Sequence, residues 1–73
     1  MQGMQGSAMT WTYIQKLEAH FAEDATYRCR VYHDPPQTWL AIVTRDATSI
    51  VQEGFPSAEA AIAWCEAYVR TLL

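Results

Sequence analysis

The tetrapeptide Asp34-Pro35-Pro36-Gln37 is the strongest constraint in this 73-residue chain. Proline lacks a donor N–H and restricts the residue before it, so two prolines in a row end any regular element. On either side lie runs that alternate. Tyr27, Cys29 and Val31 interleave with Arg28, Arg30 and Tyr32 before the prolines. Thr38 to Thr44 follows them, with apolar residues in both phases. Period-two alternation on both sides of a forced turn predicts a β-hairpin, with strands over 25–33 and 38–44.

A four-residue loop over 34–37 pairs His33 with Thr38. Tyr32 then pairs with Trp39, Val31 with Leu40, Arg30 with Ala41, Cys29 with Ile42 and Arg28 with Val43. Direct cross-strand partners share a face. One face is therefore expected to carry the core residues Cys29, Val31, Leu40 and Ile42. The other is expected to carry Arg28, Arg30, Tyr32, Trp39, Ala41 and Val43. A loop one residue shorter or longer would reverse that assignment for one strand.

The rest of the chain is built around this hairpin. Arg45-Asp46-Ala47-Thr48 reads as a second turn and Ser49 to Phe55 as a third strand. Pro56-Ser57 opens a helix from Ala58 to about Leu72, with Ser57 as N-cap and Glu59 suited to the positive end of the helix dipole. Its buried stripe is Ala58, Ala61, Ile62, Cys65, Val69 and Leu72. Trp64 and Tyr68 border that stripe. Upstream, Ile14, Leu17 and Phe21 recur at steps of three and four, and Thr12 with Gln15 fits a capping box. This predicts a first helix over Thr10 to Asp24. The expected fold is α+β, an α-β-β-β-α two-layer sandwich. A three-stranded antiparallel meander has both helices on one face.

Composition bounds the function. Five Lys+Arg against eight Asp+Glu give a net charge of −3, and 51% of residues are hydrophobic. That is too apolar for a disordered chain and too acidic for a general polyanion binder. No apolar run approaches the roughly 20 residues of a membrane span. Residues 1–9 have no signal-peptide pattern and read as a disordered leader or expression remnant, leaving 10–73 as one domain. Two cysteines without a signal peptide predict a reduced, cytoplasmic protein.

No nucleotide-binding or hydrolase motif is present, so neither an enzyme nor a cofactor is expected. His20, His33, Cys29 and Cys65 lack the close ligand pairs of zinc sites, so no metal is expected either. Cys29 and Cys65 fall on core faces and are expected as buried thiols, with a disulfide between them as the alternative. His33 beside Asp34 suggests a charged pair at the turn.

The surplus is aromatic: three Trp, four Tyr and two Phe. Trp, Tyr and Arg are enriched at binding hot spots. The face of Arg28, Arg30, Tyr32, Trp39, Ala41 and Val43 is accordingly the expected interaction surface, for a protein partner or a second copy. Stacking of single-stranded bases there is the nucleic-acid alternative. A small acidic regulator or inhibitor of a larger complex is a third reading.

The junction Gly54-Phe55-Pro56-Ser57-Ala58-Glu59-Ala60-Ala61, with the expected element order, resembles the double-stranded RNA-binding domain. In that family a capping Ser precedes lysines that grip phosphates. Here Ser57 matches, but Ala58 and Glu59 stand where the lysines would be, and Ile62 is not basic. The resemblance implies a fold without the phosphate grip. Antitoxin halves of some toxin–antitoxin pairs share a similar junction.

Overall fold

The computed structural model describes residues 9–23 and 26–72, with the side chain of Leu72 excepted. Strand β1 (Thr12–Ile14) leads through a 3₁₀ turn (Gln15–Leu17) into β2 (Ala19–Glu23). Strands β3 (Tyr27–Asp34), β4 (Thr38–Arg45) and β5 (Thr48–Phe55) follow, and helix α1 (Ala58–Leu72) closes the order. The five strands form one sheet in chain order, and every neighbouring pair is antiparallel.

The expected α-β-β-β-α sandwich with two helices and a three-stranded meander is therefore corrected to a five-stranded meander with one C-terminal helix. The segment read as a first helix is a hairpin. Thr12-Tyr13-Ile14 are β-branched and aromatic, the types that suit a pleated strand. Glu18 takes a left-handed conformation at φ 48°, which turns the chain back on itself. The residues behind the helical reading are not a buried stripe, since Leu17 and Ile14 are exposed. Pairing of β2 along β3 supplies the backbone hydrogen-bonding that the helix would have supplied. Residues 24 and 25, where the expected helix ends and the first expected strand begins, lie outside the described residues. So do residues 1–8 of the expected leader.

The β3–β4 loop is one residue shorter than expected. Asp34 pairs with Thr38, and the loop is Pro35-Pro36-Gln37 with a cis Pro35–Pro36 bond. The Thr38 hydroxyl donates to the Asp34 carbonyl at 3.0 Å, which holds Asp34 in the ladder instead of the turn. The new register sets Cys29 opposite Val43, Val31 opposite Ala41 and His33 opposite Trp39.

The core forms where α1 crosses this face. Tyr27, Cys29, Val31, Ala41 and Val43 from the sheet meet Ala61, Cys65 and Val69 from the helix. The helix begins as expected, with the Ala60 N–H donating to Ser57 Oγ at 3.1 Å. Trp64 and Tyr68 stack at 5.2 Å along the core edge, and Phe55 packs beside them. The chain before β1 closes the opposite side. Met9 packs on the core, and Trp11 Nε1 donates to Glu66 Oε2 at 2.8 Å. Near the end of β5 the register with β4 shifts between Trp39 and Ala41. Gly54, at φ 84°, lies in this irregular stretch, where an L side chain would be strained.

Candidate interaction surface on the open sheet face

The helix covers one face of the sheet. The other face is set by the same register. Phe21, Arg30, Ile42 and Val51 form one cross-strand row, and Ala19, Tyr32 and Leu40 form the next. Arg28 and Thr44 continue the face beside Glu23 and Ser49. Among the described residues no helix lies over these side chains, because α1 packs on the opposite face. They shelter one another instead. Phe21, Tyr32, Leu40 and Ile42 are half-buried, while Val51 remains 52% exposed and Ile14, at the β1 edge, is exposed too. Phe21 meets Tyr32 edge-on, with ring centroids 5.9 Å apart.

Of the six residues expected to form the surface, the structure brings Arg28, Arg30 and Tyr32 onto this face. Trp39, Ala41 and Val43 lie on the other one. Ala41 and Val43 are 0% and 2% exposed beneath α1, and Trp39 packs against the core with His20 and His33 rings at 5.9 and 5.0 Å. The cause is the shorter loop: moving β4 by one position sends every one of its side chains to the opposite face. Leu40 and Ile42, expected in the core, take the vacated places. Phe21 and Val51 were missed because the helix reading hid one and the irregular pattern of the third strand hid the other. Thr-Tyr-Ile before a possible turn was the available signal for the first.

The two arginines differ in their electrostatics. Arg28 Nε pairs with Glu23 Oε2 at 3.2 Å in a well-exposed ion pair. Arg30 sits one row inward, between Phe21 and Ile42. Its Nη2 reaches Thr44 Oγ1 at 3.4 Å, and its Nε is buried with no hydrogen-bond partner. Among the described residues Arg30 has no carboxylate within ion-pair distance. A guanidinium so placed holds an unused donor in an apolar setting, which carries a standing desolvation cost. An incoming carboxylate would offset that cost with a charge-assisted bond. Beside this face, where β1 stops short of the end of β2, lies a shallow cleft of about 380 Å³. Thr10, Thr12, Phe21 and Arg28 are among its walls.

The remaining chemistry-bearing residues lie elsewhere. His33 Nδ1 pairs with Glu18 Oε1 at 3.0 Å, not with its neighbour Asp34. Cys29 and Cys65 are buried thiols with no disulfide between them. A hydrogen bond to Cys29 and burial push the Cys65 thiol far above its ordinary range, and the charge of Glu66 adds to the shift. Among the described residues no group of three or more His, Cys, Asp or Glu side chains is placed to hold a metal ion. Nor is any described helix long and apolar enough to cross a membrane. No protein family, curated protein or solved structure matches the chain.

Proposed function

We propose that this chain is a non-enzymatic protein-interaction module, and that its open sheet face receives a partner segment carrying an acidic side chain. The observation behind this reading is Arg30: a guanidinium without an acidic partner among the described residues, with a buried unused donor, at the centre of an apolar row. Interfaces favour such a centre, with Tyr and Arg ringed by apolar contacts that exclude water. Phe21, Tyr32, Leu40, Ile42 and Val51 supply the ring.

Base stacking has less support. Arg28 is engaged by Glu23, and the Phe21–Tyr32 pair meets at an interplanar angle of 89°, so the two rings do not form one platform. The net charge of −3 opposes a phosphate backbone.

Selection from a displayed random-peptide library against the immobilised protein tests the proposal. Retained peptides are expected to combine apolar residues with Asp or Glu, and to lose at least about tenfold in affinity against Arg30→Met. Retention that ignores both Arg30→Met and Ile42→Ser overturns it. So does oligonucleotide binding that weakens steeply with salt while no peptide is retained.

A further inference from the structure

The sheet has two edges, and they are guarded differently. At one edge β1 offers three residues, then turns away through the 3₁₀ segment that carries Lys16 and the left-handed Glu18. A short strand with a charge and a sharp turn is how proteins blunt an edge against pairing. At the other edge β5 runs for eight residues without proline, lysine or arginine, and Glu53 is its one charged residue. Ile50 and Val51 stand near its middle, 39% and 52% exposed. They are consecutive, so they project on opposite faces of the sheet. A partner lying on either face alone would leave one of them in water. A partner that continues the sheet would cover both.

The helix leaves room for this. It packs mainly on β3 and β4 and only marginally on β5. Apart from Phe55, which packs on Trp64, the helix-side flank of β5 is therefore little covered among the described residues, and Thr48 and Ile50 line a cleft of about 330 Å³ with Val43, Arg45 and Tyr68.

We propose that β5 is a homodimerisation edge. A second copy adds its own β5 antiparallel about a two-fold axis normal to the sheet, joining two five-stranded sheets into one. Self-complementarity is what selects a second copy as the occupant. A two-fold of this kind keeps each residue on its own face, and direct partners must share a face. Paired positions therefore differ by an even number, and the axis passes through a residue. With the axis at Val51, Val51 meets its twin, Ile50 faces Gln52 and Glu53 faces Ser49. With the axis at Ile50, Ile50 meets its twin, Thr48 faces Gln52 and Glu53 faces Ala47. In either register an exposed apolar side chain is covered by its own counterpart, and Glu53 never opposes Glu53. The same operation turns the two helix-side clefts toward each other.

Sedimentation equilibrium of the full chain over a wide concentration range is the test. The wild-type chain and the open-face variant Ile42→Ser are expected to dimerise. Val51→Lys and Ile50→Lys, both at exposed positions, are expected to raise the dissociation constant at least about tenfold with unchanged circular dichroism. Amide exchange of the wild-type chain gives a readout that needs no variant: protection of β5 is expected to rise with protein concentration. A monomer at every concentration overturns the proposal. So does a dimer that survives both lysine substitutions, or one that forms without added protection of β5.

Discussion

The two faces of the central hairpin are built from neighbouring residues of the same strands, yet they are used in opposite ways. On one, Cys29, Val31, Ala41 and Val43 are sealed beneath α1. On the other, Arg30, Tyr32, Leu40 and Ile42 are sheltered, among the described residues, by one another and by their sheet neighbours and not by a helix. The four sealed side chains named here are small, with the larger Tyr27 and Trp39 towards the two ends of the same face. The open ones are larger, and among them is a cation, Arg30, with no acidic partner among the described residues. Charge and helix cover therefore separate the two faces. Hydrophobicity alone does not distinguish them, because both are apolar.

The sharpest way to break this comparison is to place one substitution on adjacent residues. Ala41→Asp puts an unpaired carboxylate under the helix and is expected to cost about 3–5 kcal/mol, enough to unfold so small a domain. Ile42→Asp, one residue further on, is expected to cost about 1 kcal/mol and leave the fold intact. Thermal unfolding followed by circular dichroism separates the two. Equal losses would mean that the faces are not distinct.

A second expectation concerns the sealed face at high pH. The Cys65 thiol is raised in the fold, by its hydrogen bond to Cys29 and by burial, so the native state keeps a proton that the unfolded chain releases. Stability is then complete below the unfolded thiol value of about 8.5 and falls above it, by up to about 1.4 kcal/mol per pH unit. Denaturant titrations between neutral and alkaline pH should show this slope, and Cys65→Ala should flatten it.

Smaller effects are expected away from the two faces. Ser57→Ala removes the cap that accepts from the Ala60 N–H and should cost about 1 kcal/mol in urea unfolding. Glu23→Gln breaks a pair that is more than half exposed on both sides, and should change stability by under about 0.5 kcal/mol. That variant also frees Arg28, so a gain in binding of acidic peptides would sharpen the contrast with Arg30.

Much of the C-terminal two-thirds was legible in the residues. The Asp46 turn and the Ser57 cap each follow from a local rule and stand where it puts them, and the prolines turn the chain, though one residue more tightly than expected. Of the expected stripe, Ala61, Cys65 and Val69 are buried, Ala58 and Ile62 are half-buried, and the side chain of Leu72 lies outside the described residues. The N-terminal third was not legible, because Ile14, Leu17 and Phe21 match a helical period while β2 gains its partner from β3, which local spacing does not report. The candidate surface was half legible for a different reason. Arg28, Arg30 and Tyr32 depend on the parity of β3 alone. Trp39, Ala41 and Val43 depended on loop length, which local sequence left open: Asp34 pairs with Thr38 and the loop has three residues.

The bond between Trp11 and Glu66 has a kinetic consequence. Each strand pairs only with its neighbour in sequence, so the meander can assemble by successive short loop closures. The Trp11–Glu66 contact spans 55 positions and waits until both ends of that sequence of closures are in place. It is a late latch, fastened once the sheet exists and the helix has settled. Unfolding is expected to release it early, and amide exchange around Met9 and Trp11 faster than in the central hairpin is the measurement that checks it.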